Sequence, residues 1–317
     1  METRKIGSLT VSVVGLGCNN FGRRLDAEGT AAVVNAALDA GINFFDTADV
    51  YADGQSEMFI ARALGNRRNQ VVIATKFGHS MGGPKRGAHR DYIRQAVEAS
   101  LSRLDTDYID LYQLHTPDPL VPIAETLGAL NELVQAGKVR EIGCSQFSAE
   151  QLREAQRAVK PDAAHFASVQ NEYSLLARDP EQDVLRECER LEMAFLPFFP
   201  LASGLLTGKY RQGQPAPEKT RIVAPGSSYA DLLNPHNLAI VESLIKFAES
   251  RGHTILELAF SWLLAHPAVA SVIAGAMTPE QVNSNAAAYI DPWELTDGDL
   301  SEIDTIVSQP ARLGRTK

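Results

Sequence analysis

VVIATK (71–76) is a short, mostly apolar run that ends on a lysine. Its length, its β-branched content and its lack of polar alternation fit a strand buried on both faces, as in parallel sheets covered by helices. The same design recurs on either side. INFF gives way to Asp46, YIDLYQL gives way to His115, and Tyr51 stands five residues beyond the aspartate in DTADVY. Singly, each residue has an ordinary explanation. Asp46 caps the helix that follows the DTADVYADG turn, Tyr51 packs in a loop, Lys76 is solvated and His115 is a satisfied strand-end histidine. Jointly, they put an ionisable group at the same end of three consecutive strands.

Working outward, strand candidates fall at 13–18, 43–46, 71–76, 108–115, 139–145, 166–171, 194–199 and 270–275. Helical periodicity fills the gaps, as in TAAVVNAALDAG ending at Gly41, IRQAVEASLSRL, IAETLGALNELVQAG, AEQLREAQRAV and PEQDVLRECERL. The last third adds NLAIVESLIKFAESRG, ILELAFSWLLAHP, PEQVNSNAAAY and DLSEIDTIVS. Eight strands alternating with helices specify an α/β fold, a (β/α)8 TIM barrel with extra helices. A β-hairpin turning at Gly7-Ser8 precedes it. The expected organisation is one domain over 1–317, with the hairpin in 1–12 and a C-terminal tail at 309–317. Asp46, Lys76 and His115 then lie at the C-terminal ends of strands two, three and four, the rim where this fold builds its sites.

Composition narrows the function. With 44% hydrophobic and 22% charged residues the chain reads as an ordinary globular protein. The start lacks a signal peptide's apolar core and no segment approaches a membrane span, so a cytoplasmic location without membrane association is expected. A net charge of −9 argues against nucleic acid and anionic membranes as partners. Cys18, Cys144 and Cys188 are far apart and without CxxC or Cys/His spacing, which indicates neither disulfides nor a metal site. Lys209, Arg211, Lys219 and Arg221 form one basic cluster, either a solvated loop or a polyphosphate site.

GLGCNNFG, GINFFDTADVYADGQSE, VVIATKFG, DYIDLYQLHTPDP, REIGCSQFS, VQNEYSLL, PLASGLLTGKY and IAGAMTPEQVNSN together resemble, in order, the aldo-keto reductase family over nearly the whole chain. The resemblance implies reduction of aldehydes or ketones to alcohols with NADPH, NADH also being possible. By that likeness Tyr51 is the general acid, Lys76 lowers its pKa, Asp46 holds Lys76 and His115 orients the carbonyl. A phenol ionises near pH ~10, so it needs a nearby cation to release a proton readily. Ser145, Gln146 and Gln170 are matched to the nicotinamide carboxamide, and Phe198 to the aromatic that stacks on the nicotinamide ring. Pro200, Leu201, Ser203, Gly204, Leu205, Lys209 and Arg221 are matched to the pyrophosphate region. Gly17, Cys18 and Asp46 at the inner end, and Gly275, Met277, Gln281 and Asn285 at the adenosine end, complete the expected cofactor contacts. Phe21, Tyr51, Phe77 and His115 are the expected substrate walls.

The chain departs from the family pattern in three places. Gln146 replaces a common Asn, Met277 stands where NADPH-preferring relatives often carry Arg, Lys or a hydroxyl, and Ser284 stands where Glu often meets adenine. No GxGxxG follows the first strand, so Rossmann-type binding is not indicated. Substrate choice is expected from the loops 79–90, 116–122 and 211–235 and from the tail. The same residues admit a sugar or alcohol dehydrogenase running oxidatively, or a cofactor-binding sensor or auxiliary subunit with little turnover. A barrel hydrolase or isomerase using Asp46 and His115 leaves PLASGLLTGKY unexplained. The expected partner is a small carbonyl or alcohol compound, and the expected state a monomer, a homo-oligomer being admissible.

Overall fold

The computed structural model describes residues 1–81, 87–218, 220–224 and 226–308. The tail at 309–317, Lys219 and the middle of the 79–90 loop lie outside the described residues. The chain opens with an antiparallel hairpin, β1 (Thr3–Ile6) and β2 (Leu9–Ser12), whose Gly7 takes φ 54° at the turn. Eight parallel strands follow: β3 (Val14–Gly17), β4 (Phe44–Asp46), β5 (Val72–Phe77), β6 (Ile109–Leu114), β7 (Val139–Ser145), β8 (Phe166–Glu172), β9 (Ala194–Phe198) and β10 (Val272–Gly275). They pair in chain order, and β10 pairs with β3. The remaining seam is joined where Phe195 N donates to Ala268 O and Ala270 N to Phe195 O. The sheet is therefore a barrel, as the strand count requires.

Helices cover the outside: α1 (Ala27–Asp39), α2 (Gln55–Leu64), α3 (Arg90–Leu104), α4 (Ile123–Gln135), α5 (Ala149–Ala158) and α6 (Val184–Arg190) each follow one strand. Two helices, α7 (Pro235–Glu249) and α8 (Ile255–Leu264), separate β9 from β10, and α9 (Pro279–Ala287) and α10 (Asp297–Val307) come last. Start signals match their chemistry: Ser148, Thr254 and Thr296 form capping boxes with Gln151, Glu257 and Asp299.

The barrel has two cores because strand side chains alternate. Outward residues such as Leu16, Phe45, Ile73 and Tyr112 pack under the helices. Inward residues Phe44, Ala74, Leu111, Leu196 and Ile273 meet Ile6, Leu9 and Val11 of the hairpin, which stops the lower mouth. Two residues further along each strand the same inward face reaches the upper rim. There stand Asp46, Lys76, Gln113, Phe198 and Gly275.

Candidate active site

Parallel register aligns the rim. Gly17 pairs with Asp46, Lys76 with Gln113, and Ser145 with Gln170. His115 continues the inward face of β6, and Tyr51 opens the short turn that links β4 to α2. Residues spread over seventy positions thus converge on one end of the barrel.

Lys76 is fully buried and is held on three sides: its Nζ donates to Asp46 Oδ1 and Oδ2 at 2.8 and 2.7 Å and to the Thr47 carbonyl at 2.9 Å. Asp46 also accepts from Gln170 Nε2 at 2.8 Å and from Gln113 Nε2 at 3.4 Å. Asp46 is therefore no helix cap, and Gly54 precedes α2 instead. Burial is the largest single influence and pulls the lysine down, but Asp46 and Tyr51, by charge and hydrogen bonding together, outweigh it and keep the ammonium above its ordinary value.

The Lys76 ammonium lies 5.3 Å from the Tyr51 ring centre. Burial is the largest influence on the Tyr51 phenol and raises its pKa above 10, while the charge and hydrogen bonding of Lys76 pull it down. The sequence expectation of a lowered tyrosine holds for the lysine's own contribution, not for the net direction. Desolvation, which no motif displays, is the larger influence.

The His115 ring meets Tyr51 edge to face at 5.9 Å and His79 at 4.5 Å. Burial, then Lys76 and His79, push its pKa to about 2, so the imidazole is neutral at physiological pH. Its Nδ1 is buried without a partner. A neutral ring carries one N–H, a donor suited to a carbonyl oxygen.

These groups floor a cavity of about 740 Å³. Gly17, Cys18, Asp46, Tyr51, His115, Ser145, Gln146, Gln170 and Phe198 form its inner part. Pro200, Leu201, Ser203, Gly204, Lys209 and Arg221 border a second stretch, and Gly275, Met277, Gln281 and Asn285 a third. Four expected residues are not in the lining, Lys76 because it lies buried beneath Asp46 and three others for geometric reasons. Phe77 neighbours Lys76 in β5, so it points to the opposite face and stacks on Tyr112 at 4.7 Å. Phe21 is tucked into the outer core by a turn in which its N–H donates to the Cys18 carbonyl. Leu205 is fully buried while Ser203 and Gly204 of the same turn face the cavity.

Sequence reading missed Asn19, Asn20, Arg24, Phe199, Thr207 and Thr220 in the lining. The polar run NNFGRR directly after the first strand was the available signal. Arg221 reaches across to that run, its Nη2 donating to Asn19 Oδ1 at 3.1 Å and Asn20 Oδ1 at 3.0 Å. Ser284 also lines the cavity, and Met277 brings no charge to it, while Asn19 and Asn20, which hold Arg221, lie against Gly275.

The lining fits a dinucleotide. Ala202, Ser203 and Gly204 take φ of 45, 56 and 98°, and Ser203 Oγ is buried with no partner inside the protein. The φ of 98° favours glycine at 204, and the Lys209 ammonium lies 2.8 Å from where a Cβ would stand, so this open backbone sits directly beside a cation. Gln170 spends its Nε2 on Asp46, and no protein donor reaches its carbonyl oxygen among the described residues. Gln146 Nε2 donates to the His115 carbonyl at 3.2 Å, which commits part of that amide before any ligand arrives.

Asp49, between Asp46 and Tyr51, is an unforeseen titratable group. It is 1% exposed, and neither carboxyl oxygen has a side-chain partner, the adjacent Val50 backbone alone pulling against its burial as a hydrogen-bond donor. Around it lie Glu57 of α2, Arg103 and Tyr92 of α3, Lys76 of β5 and Tyr112 of β6, whose phenol is also unpartnered. Burial first, then Glu57, push Asp49 up to about 7. The folded protein therefore keeps a proton that an unfolded aspartate releases from about pH 4, and stability falls as pH rises through that window. Urea melts from pH 5 to 8 should show wild type losing stability relative to Asp49→Asn. A constant difference between the two across that range would contradict the assignment.

The sequence model of the Aldo/keto reductase family matches residues 13–308. The chain is 36% identical to the aldo-keto reductase YhdN of Bacillus subtilis, with 94% of this chain and 91% of that protein aligned. It is 34% identical to a probable voltage-gated potassium channel subunit beta of Arabidopsis thaliana, covering 98% of each. Among solved structures, the glycerol dehydrogenase of Gluconobacter oxydans superposes with a TM-score of 0.82 at 31% identity, covering 99% of both chains. A holo-form aldo-keto reductase of Bacillus halodurans gives 0.79 at 32% identity over 96% of each.

Proposed function

This chain belongs to the aldo/keto reductase family, and on that premise we propose that it reduces aldehydes or ketones to alcohols with a nicotinamide dinucleotide. The observation that carries the reading is the fully buried Lys76, locked to Asp46 and facing Tyr51, two residues that line the cavity above it. When bound, the cofactor supplies the hydride that the carbonyl carbon accepts. The protein's own task is the proton. Tyr51 Oη gives its proton to the carbonyl oxygen, and Lys76 steadies the phenolate left behind. Asp46, fixed by Gln170 and Gln113, keeps the ammonium in place. Neutral His115 donates an N–H to the same oxygen and orients it before transfer.

Ser145, Gln146 and Gln170 are the proposed carboxamide contacts, and Phe198 the stacking surface. Ser203, Gly204 and Lys209 are proposed for the pyrophosphate, with Met277, Gln281 and Asn285 at the adenosine. NADPH is the proposed cofactor, with NADH accepted. Because Met277 itself offers no charge, a 2′-phosphate gains nothing from that side chain. Fluorescence titrations should give dissociation constants for NADPH and NADH within about ten-fold of each other, since one charge-assisted contact is worth roughly that factor. A difference of a thousand-fold would mean that a phosphate-binding group has been overlooked.

A panel of aldehydes and ketones assayed with the tighter cofactor tests the activity itself. Absence of turnover across the panel, with cofactor still bound, would favour the second reading, a cofactor-binding auxiliary subunit. That reading draws on the relatives named as channel beta subunits.

A further inference from the structure

Tyr51 opens a turn whose backbone is strained. Ala52 and Asp53 take φ of 50 and 53°, in the left-handed region that residues with a Cβ disfavour, and Gly54 takes 87°. Such a turn keeps its shape only where its surroundings fix both ends. The entry is fixed by backbone: the N–H groups of Thr47 and Asp49 donate to the carbonyls of Ala74 and Lys76. The exit is fixed by side chains. Ser56 and Glu57, in the first turn of α2, are both fully buried, a rare place for a carboxylate without a partner to justify it.

Ser56 Oγ donates to the Cys18 carbonyl at 3.0 Å and lies 2.8 Å from the hydroxyl of Thr47, whose carbonyl holds Lys76. Glu57 accepts on both oxygens from outside its own helix: Thr75 Oγ1 donates to Oε1 at 2.6 Å and Arg103 Nε to Oε2 at 2.6 Å. Thr75 precedes Lys76 in β5 and points to the opposite face. Arg103, on α3, lies along the turn itself, since a Cβ on Gly54 would stand 2.6 Å from its Cδ and 2.8 Å from its Nε. One carboxylate outside the cavity lining thus ties the Tyr51 turn to the strand that carries Lys76 and to the helix behind both. A buried carboxylate is a costly anchor compared with an apolar side chain. What it adds is direction, two charge-assisted bonds aimed at two elements.

We infer that Glu57 is a positioning residue for proton transfer: through Thr75 and Arg103 it holds the 51–54 turn in register with β5, and so sets where the Tyr51 hydroxyl stands relative to Lys76. This rests on the carbonyl-reductase reading and deepens it. Loosening the tie lets the phenol drift from the ammonium, so that it loses part of the cation's pull and ionises at higher pH. Charge alone acts in the reverse sense, because removing a nearby carboxylate with the geometry intact makes a phenol ionise at lower pH. The other titratable groups around Glu57 are Asp49 at the entry to the turn, Arg103 and Tyr92 of α3, Lys76 of β5 and Tyr112 of β6. Thr75→Val changes the charge of none of them, and therefore isolates the geometric effect.

The test uses the full chain, with NADPH and butanal or benzaldehyde for reduction and NADP⁺ with the matching alcohol for oxidation. Thr75→Val removes the hydroxyl and keeps the shape, Thr75→Ser keeps the hydroxyl, and Glu57→Gln removes the ion pair. Thr75→Val should lower kcat by about ten-fold, within the reach of a sub-ångström misplacement, while KM and the NADPH dissociation constant stay within about two-fold. It should also move the rising pH limb of alcohol oxidation upward by about half a unit or more. Glu57→Gln should shift both readouts in the same direction and further, and Thr75→Ser should behave as wild type. Unchanged kcat and pH limb in Thr75→Val and Glu57→Gln would overturn the inference. So would a limb that moves down in Glu57→Gln, the mark of charge without geometry, or equal losses in Thr75→Val and Thr75→Ser, the mark of packing. If Glu57→Gln does not fold, the two Thr75 variants decide alone. If wild type turns over none of these compounds, the reductase reading has failed instead. Ultraviolet difference titration of the Tyr51 phenol, with Tyr51→Phe as the blank, then decides the positioning role separately: ionisation at higher pH in Thr75→Val alone supports it, and one common value in wild type and both Thr75 variants removes it.

Discussion

Tyr51→Phe is expected to lower kcat for aldehyde reduction by about 10²- to 10⁴-fold, the usual worth of a positioned proton donor, while cofactor affinity stays within two-fold. Phenylalanine keeps the ring that faces Lys76 at 5.3 Å and His115 at 5.9 Å, so packing is preserved and only the hydroxyl is lost. Burial holds the phenol protonated well above neutral pH, which is the form that reduction requires. Oxidation of an alcohol needs the phenolate. Its rate should therefore climb with pH, whereas the reductive rate should be flat through neutrality until the phenol ionises. Steady-state kinetics in both directions, with fluorescence titration of NADPH, checks all three statements. Turnover retained within ten-fold would remove Tyr51 from the role of acid.

Lys76→Met should be the most damaging single change to the fold and should abolish activity as well. It deletes one half of a fully buried ion pair and leaves Asp46 with only two amide donors, Gln170 and Gln113. Breaking such a pair costs about 3–5 kcal/mol, because the remaining charge has lost its counterion inside the protein. The double variant Asp46→Asn/Lys76→Met tests the reason. Neutralising both partners should return much of the stability, since two uncharged groups can be buried cheaply, but none of the activity. Chemical denaturation of wild type, single and double variants gives the comparison. A double variant no more stable than the single one would show that the lysine contributes by packing rather than by charge.

The floor of the site was legible because strand chemistry is local. An apolar run that ends in Asp46, Lys76 or His115 marks both a strand and its exit, and the parallel order of strands does the gathering. What stayed hidden depends on facing and depth. Phe77 was expected as a substrate wall, yet strand alternation after Lys76 turns it to the helices. Asn19, Asn20 and Arg24 looked like a loop because nothing in NNFGRR says which mouth it overhangs. Arg221 was placed by resemblance, but its grip on two asparagines arises from a loop that crosses the barrel mouth. Asp49 lies inside a recognised motif, and only the packing of α2 and α3 around it reveals a buried carboxyl with no side-chain partner. The net rise in Tyr51 has the same origin, since desolvation is a property of neighbours that sequence does not order.

The hairpin beneath the barrel bears on synthesis by the ribosome. Arg4 grips the carbonyls of Leu264 and Val269, the latter 265 positions away, and Ser271 Oγ donates to Ser12 O across 259 positions. Until those late residues emerge, β3 has one neighbour and an open edge, and the hairpin has an unclosed barrel to plug. Such distant pairing is slow to form and leaves sticky intermediates. A nascent chain paused before residue 264 should hold its early strands and helices loosely, and its completion depends on the arrival of one short strand.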